Sequence, residues 1–360
     1  MRFPEFHGEW EKCKLGDIAE FSTARVSSVK LDCKNYVSTE NMLQDFQGVV
    51  EAKSVPNETN VISFTCGDIL ISNIRPYLKK VWKATFDGGC SSDVFVLQAT
   101  DTVAKDYLHY AVANDKFINY VMSGAKGVKM PRGDKNQMRT YQLSLPSIQE
   151  QYKIAKLLTL LDERIATQSK LIEKLESLIK GLAHHCIRDF TNDCEYIRLG
   201  DISKITTGKL DANAQVENGQ YPFFTCAERP FNIDSYAFDT EALLISGNGA
   251  NLGYINYYKG KFNAYQRTYV LDHFSVNIQY VKWALKVLLP QRIAIEKSSN
   301  NTPYIVLSTL ADLKIPIPNN SKQNHIANLM MSFEKKLSNQ LALSDLYNKQ
   351  KQYMLRQMFI

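Results

Sequence analysis

The stretch from Gln149 to Arg188 carries an apolar seam with a seven-residue period, and this period constrains the fold more than any other feature of the chain. Steps of four and three from Ile154 give Leu158, Leu161, Ile165, Gln168, Ile172, Leu175, Ile179, Leu182 and Cys186, so only Gln168 interrupts the seam with a polar side chain. A seam of this period lies along one side of a helix and is buried only by a partner helix. Pro146 bars an earlier helical turn, Ser147 offers an N-cap oxygen, and Glu150 three residues on predicts a capping box. At about 1.5 Å per residue the rod is on the order of 60 Å long. A rod of that length cannot bury its seam against itself.

The C-terminal segment supplies the partner. Setting Leu145-Pro146-Ser147 on Ile317-Pro318-Asn319 places Gln151 on Gln323, Ile154 on Ile326, Leu158 on Met330, Leu161 on Phe333, Ile165 on Leu337 and Gln168 on Gln340. A second long helix is therefore expected from Ser321 to Phe359, with a less regular apolar face (Leu341, Leu346, Tyr347, Met354, Leu355, Met358) beyond Gln340.

The chain ahead of each helix repeats too. KLGDI at Lys14–Ile18 matches RLGDI at Arg198–Ile202 and reads as a short helix start or tight turn. GDILIS at 67–72 matches EALLIS at 241–246, and SSDVFVL at 91–97 matches YQRTYVL at 265–271; these runs are apolar and β-branched, as buried strands are. A repeat this long is a tandem duplication, since solenoid repeats run about 20 to 50 residues. The expected fold is α+β: two similar globular domains at 1–148 and 191–320, separated by long helices at 149–190 and 321–360. A chain that joins the two helices through a globular domain favours their antiparallel pairing as a coiled coil.

Composition narrows the function only where charge is concentrated. The formal charge is +6, yet residues 1–148 hold 18 basic against 17 acidic groups and residues 191–320 hold 12 of each. Locally, Arg75 to Lys83 contains Arg75, Lys79, Lys80 and Lys83 without an acid, and Lys116 to Arg139 contains six basic residues against Asp134. Such patches suit a phosphate backbone, although solvated loop faces look the same in sequence. Seven cysteines without a C-x-x-C pair read as reduced thiols. The opening MRFPEFHGEW lacks the basic and apolar segments of a leader, and no window reaches the roughly eighteen apolar residues of a membrane span. A cytoplasmic protein without membrane contact is expected.

Catalytic motifs are not evident. Gly247-Asn-Gly-Ala-Asn-Leu-Gly253 imitates a dinucleotide fingerprint, but the residues after it, Tyr254 to Tyr258, look extended where the motif must open a helix. The E-x-K triplets at Glu51–Lys53 and Glu334–Lys336 are too short to carry a nuclease reading. His184, His185 and Cys186 are adjacent on a helix, point about 100° apart, and read as helix-end residues before metal ligands. Between the matched strands, however, the copies diverge: Asn73–Trp82 in one, Gly247–Asn256 in the other. One frame with two polar loops suits two recognition surfaces. Arg, Asn, Gln and Lys are the side chains that read base edges and phosphates. The base-reading candidates are Arg75, Lys79 and Lys80 in the first copy, and Asn248, Asn251, Gln266 and Arg267 in the second. Lys126, Lys129 and Arg132, in the Gly-rich stretch SGAKGVKMPRGDKN, are expected to meet phosphate.

RFPEF-x-G-x-W near the N-terminus, the two LGDI starts, GDILIS and LPSIQEQYKIAKLLTLLDERI together resemble the specificity subunits of type I restriction-modification enzymes, over essentially the whole chain. The second helix departs from the pattern in having Lys322 where the first has Glu150. The resemblance implies two target recognition domains that read a split DNA sequence and an antiparallel helix pair that sets their separation. It also implies docking of two modification subunits that use S-adenosylmethionine to methylate adenine, and a restriction subunit that uses ATP and Mg; this chain would hold no cofactor. A stand-alone nuclease or methyltransferase is the alternative, disfavoured because no N-P-P-F or D-P-P-Y motif is present. A structural coiled-coil adaptor is the third reading.

If the helices pair antiparallel over their full lengths, Gln168 and Gln340, each near its helix midpoint, meet in one layer. A buried amide pair fixes register at some cost in stability. Changing both to Leu is expected to raise the melting temperature. Changing one is expected to cost about 1–3 kcal/mol, because the other amide is left without its partner. Equal stability of the single and double variants in thermal unfolding would contradict the shared layer.

Overall fold

The computed structural model describes residues 2–189, 194–297 and 304–359, so the expected junction at 190–191 lies outside the described residues. The chain divides into two units, Met1–Gln168 with Leu343–Ile360, and Ser169–Ala342.

In the first unit the order is β1 (Glu11–Lys14), α1 (Leu15–Ile18), β2 (Ala19–Phe21), β3 (Arg25–Ser27), β4 (Tyr36–Val37), β5 (Asn60–Phe64), β6 (Ile69–Ser72) and β7 (Val81–Lys83). β8 (Gly88–Cys90), β9 (Val94–Ala99), α2 (Lys105–Val112), α3 (Asp115–Ser123), α4 (Lys135–Arg139), β10 (Gln142–Leu145) and the long α5 (Ile148–His184) follow. One sheet runs β2-β9-β6-β7, a second β3-β5-β8-β4, and β1 pairs with β10. In the second unit β11 (Glu195–Arg198), α6 (Leu199–Ile202), β12 (Lys204–Thr207), β13 (Tyr221–Phe224), β14 (Phe231–Ile233), β15 (Phe238–Ser246), β16 (Ile255–Ala264) and β17 (Thr268–Asp272) lead to α7 (Ile278–Lys297). α8 (Leu307–Ala311), β18 (Lys314–Ile317) and the long α9 (Asn320–Met358) complete it. Its large sheet has the order β12-β17-β15-β16-β13-β14, and β11 pairs with β18.

The duplication holds at the level of hydrogen-bond register. β6 pairs with β9 as Ile69↔Leu97 through Ser72↔Val94, and β15 pairs with β17 as Leu243↔Leu271 through Ser246↔Thr268, the same pairs one repeat on. Likewise Glu11 faces Leu145 and Glu195 faces Ile317. The LGDI segments are short helices in both units, each tied by its first amide: Leu15 N–H to Tyr141 O at 2.8 Å, Leu199 N–H to Leu313 O at 2.9 Å. The leucine and isoleucine of each are buried, which is why the motif recurs.

Each long helix is fastened to its own unit by one buried glutamine. Gln151 Nε2 donates to Pro146 O at 2.9 Å while its Oε1 accepts from Ala104 N–H, just ahead of α2, at 2.8 Å. Gln323 does the same with Pro318 O at 2.8 Å and with the amide of Asn277, just ahead of α7, at 3.0 Å. A second tether accompanies each: Tyr107 on α2 donates to Ser144 O at 2.8 Å, and Tyr280 on α7 to Pro316 O at 2.6 Å. One backbone amide ahead of each domain helix and two carbonyls ahead of each long helix thereby gain side-chain partners.

The long helices pair antiparallel. In the first unit Leu157, Leu158 and Ile154, early on α5, share a core with Met354, Leu355 and Met358, late on α9. In the second, Leu175, Ile179 and Ala183, late on α5, share a core with Ile326, Ala327, Met330, Phe333 and Leu337, early on α9. Every seam position from Ile154 to Cys186 is buried or half-buried. Gln168 is 7% exposed and Gln340 is half-buried. Helical structure runs on to Asp189, but the turn from His185 widens to a π-helix.

Two expectations need correction. Ser147 caps α5, accepting from Glu150 N–H at 3.4 Å, but the Glu150 carboxylate is engaged elsewhere. It is 0% exposed, takes Arg2 Nε and Nη2 at 2.9 Å each, and also accepts from Trp10 Nε1 at 3.2 Å. A fork from Arg satisfies a buried carboxylate better than one backbone amide can. On α9, Leu341 and Leu346 do not join the apolar face: they are 48% and 60% exposed, whereas Leu355 and Met358 are buried. Lys351 instead reaches Asp162 at 2.5 Å, and Asp162 also accepts from Tyr110 at 2.8 Å, so the late part of α9 is held by polar as well as apolar contacts.

Replacing Gln151 by Leu leaves the Ala104 amide and the Pro146 carbonyl buried without partners. The loss expected is about 1–3 kcal/mol, read as a lower urea midpoint with an unchanged slope. Gln323→Leu is expected to act in the same direction; unchanged midpoints for both would contradict the fastening role.

Candidate nucleic-acid interface

In the first unit the loop between β6 and β7 is built by strain. Arg75 and Lys79 both adopt left-handed backbone, with φ of 51° and 54°, on either side of a 3-10 turn at Pro76–Leu78. Non-glycine residues hold that conformation only where the surroundings over-determine it. Those surroundings are the stretch 123–136. Arg75 N–H donates to Pro131 O at 2.8 Å, Gly133 N–H donates to Asn73 O at 3.0 Å, and Lys126 and Arg132 exchange backbone bonds of 3.0 and 2.9 Å. Two basic loops some fifty residues apart in sequence are thereby stitched into one surface carrying Arg75, Lys79, Lys80, Lys126, Lys129 and Arg132.

Their side chains are not equivalent. Lys79 pairs with Asp115 at 2.8 Å, Arg132 with Asp93 at 3.5 Å, and Lys126 with Asp134 at 3.3 Å. Lys80 donates to Thr39 O at 2.6 Å; burial and the nearby Arg75 charge lower its pKa, against an opposing pull from Glu40. Asp134 lies below its ordinary value because it accepts from the amides of Asn136 and Gln137 and then from Lys126. Arg75 and Lys129 are exposed and make no ion pair or side-chain hydrogen bond among the described residues.

In the second unit Gly247–Gly253 is a hairpin connection and not a helix start. Gly253 N–H donates to Ser246 O at 2.8 Å, Ser246 N–H to Tyr254 O at 3.0 Å, and β16 returns antiparallel to β15. Gly253 has φ +81°, a left-handed conformation that favours glycine, and it lies against the tip of Ile293 on α7. The side chains of Asn248 and Asn251 both hold a neighbouring strand end: Cys226 Sγ donates to Asn248 Oδ1 at 3.0 Å, and Asn251 Nδ2 donates to Cys226 O at 3.0 Å. Gln266 and Arg267 are exposed at the same edge, where Gly247 N–H donates to Arg267 O at 2.8 Å. The four candidates of this unit thus cluster at one end of the large sheet.

Three features of the two units were not anticipated. Cys226 organises the Asn248–Asn251 edge, and no local pattern marks it. The Arg2–Trp10–Glu150 grip gives the RFPEF-x-G-x-W segment a structural role that only a tertiary contact reveals. Glu334 takes Lys282 at 2.6 Å and Lys286 at 2.9 Å, tying α9 to α7 across distant parts of the sequence. Burial pushes the Glu334 carboxyl up, but the two ammonium groups together hold it below its ordinary value. Among the described residues no group of three or more His, Cys, Asp or Glu is placed to hold a metal ion, and no helix is long and apolar enough to cross a membrane.

The duplicated frame with two unlike polar loops is matched by a family model. The model described as the type I restriction modification DNA specificity domain fits residues 7–177 and again residues 191–343. The chain belongs to this family. Among its relatives, the type I restriction enzyme EcoDI specificity subunit of Escherichia coli is 43% identical over 135 residues, which are 38% of this chain and 30% of that protein. The MjaIX specificity subunit of Methanocaldococcus jannaschii is 24% identical over 385 aligned residues, 92% of this chain and 88% of that one. The crystal structure of a type I restriction-modification S subunit from M. genitalium superposes with a TM-score of 0.68 at 17% identity, covering 100% of this chain and 99% of that one. A chain from a study of complex assembly and conformational transition in the type I system superposes at 0.60 with 18% identity, covering 98% of each. At these identities the superpositions establish the specificity-subunit fold.

Proposed function

We propose that this specificity-family chain is the DNA-recognition subunit of a type I restriction-modification system. The domains at 1–148 and 191–320 each read one half of a bipartite double-stranded target. The observation that carries this reading is the repeated β6–β9 and β15–β17 register, from which two dissimilar polar loops project in equivalent places. One frame presents both loops in like geometry, so the same partner chemistry, duplex DNA, is read twice with different base preference.

Arg75, Lys79 and Lys80, and Asn248, Asn251, Gln266 and Arg267, read bases; Lys126, Lys129 and Arg132 contact phosphate. Arg75 and Lys129 need no release from an ion pair, and so are available at the least cost. Lys79, Lys126 and Arg132 must exchange a carboxylate for a phosphate. That exchange costs little at exposed pairs and leaves the loop ordered before DNA arrives. Asn248 and Asn251 have one function fixed by Cys226 and retain their remaining amide atoms for base edges.

The antiparallel helices fix the separation of half-sites and dock two modification subunits, supported by Leu171 and Leu178, which lie one heptad apart on α5 and are both exposed. S-adenosylmethionine, ATP and Mg belong to the modification and restriction subunits; this chain is non-catalytic and works in the cytoplasm, where its DNA target is.

The purified chain is expected to bind DNA and neither methylate nor cut it; methyl transfer by the chain alone would contradict the assignment. Replacing Lys126, Lys129 or Arg132 with Ala is expected to weaken binding to all sequences alike and to lower the slope of log affinity against log salt by about one. A change of base preference at constant slope would assign these residues to base reading instead.

A further inference from the structure

A cleft of about 360 Å³ opens in the first unit between residues 36–41 and residues 50–56, lined among others by Tyr36, Ser38, Glu40, Asn41, Glu51 and Lys53. Asn41 pins both walls. Its Nδ2 donates to Tyr36 O at 3.1 Å and to Val50 O at 2.7 Å, and its Oδ1 accepts from Ser38 N–H at 2.6 Å. With the Asn41 side chain itself buried, the cleft is preformed. It adjoins the basic surface, because the ammonium of Lys80 sits on the carbonyl of Thr39, between the lining residues Ser38 and Glu40.

The Tyr36 hydroxyl, two carboxylates and one ammonium of this cleft have no partner among the described residues. Tyr36 is 8% exposed, and its hydroxyl makes no hydrogen bond among the described residues. Glu40, Glu51 and Lys53 are exposed and form no ion pair among them. Exposed carboxylates in this cleft, Glu40 near Lys80 among them, repel a phosphate backbone and weaken binding to every DNA sequence equally, unless they meet a hydrogen-bond donor. The donors that the major groove presents are the exocyclic amino groups, N6 of adenine and N4 of cytosine, and a carboxylate is a matching acceptor. We infer that this cleft is a base-reading subsite for an exocyclic amino group in the half-site of the first domain. Glu51 and Glu40 accept from the amino group. The Tyr36 hydroxyl is free to donate to N7 when the base is adenine, and Lys53 meets a flanking phosphate.

This inference rests on the DNA-recognition reading, and its test separates the two. Duplexes are selected from a randomised pool by the full-length chain and by its Glu51→Ala, Glu51→Gln and Tyr36→Phe variants. Tyr36→Phe removes a hydroxyl that has no partner among the described residues, so it keeps the fold even if a Glu51 variant does not. The wild type is expected to prefer adenine or cytosine at a position that Glu51→Ala relaxes by about tenfold. The other half-site and the salt slope are expected to stay unchanged. Relaxation by Tyr36→Phe as well identifies the base as adenine; relaxation by the Glu51 variants alone identifies cytosine. A wild-type bipartite preference that all three variants leave intact overturns the subsite alone. Weakening that is uniform across sequences, with a changed salt slope, also overturns it. Absence of any sequence preference in the wild type overturns the recognition reading and the subsite with it.

Discussion

A buried side-chain amide decides how each globular domain meets its long helix. Gln151 and Gln323 each close a helix start with one amide hydrogen, to Pro146 O and Pro318 O, and receive a backbone amide from the domain with the amide oxygen. An amide that must satisfy donor and acceptor at once tolerates little rotation, so the start of the rod and the start of the neighbouring domain helix are fixed as one body. The tyrosines Tyr107 and Tyr280 repeat the constraint from the first turn of α2 and α7. Rigid recognition surfaces need such anchorage, because side chains held to within fractions of an ångström discriminate bases where floppy ones do not. Around these shared anchors the two copies vary freely in their loops.

The helices, the duplication and the principal strands were legible in the sequence because each leaves a periodic or repeated trace. The heptads from Ile154 marked α5, and the offset to Ile326, Met330 and Leu337 marked the start of α9. GDILIS and EALLIS marked β6 and β15. The late half of α9 was less legible. Leu341 and Leu346 look like seam residues but lie in water, while Lys351 and Asp162 supply a polar link whose two halves are far apart in the chain. Glu150 misled for the same reason: its spacing from Ser147 satisfies a local rule, but a distant arginine and tryptophan bind the carboxylate more strongly than a local amide.

The candidate interface was legible in residue type and not in assembly. Composition singled out Arg75 and Lys129 no more than Lys79 or Arg132, yet only the latter two are paired with acids, Asp115 and Asp93, that sequence distance conceals. Cys226 and the cleft around Asn41 come from loops without periodicity, whose geometry is set by backbone bonds such as Val50 N–H to Asn41 O at 2.9 Å. Glu40 and Glu51, which line that cleft, enter a charge count only as negative groups, and no count reveals the concavity they share.

If two loops on one frame read DNA independently, their preferences must be separable. The most direct measurement exchanges residues 191–320 for the corresponding domain of a relative and determines the preferred duplex of the intact chimera. A change confined to one half of the recognised sequence, with the spacing between halves retained, is the predicted result. Altered preference in both halves would contradict modular reading by two domains.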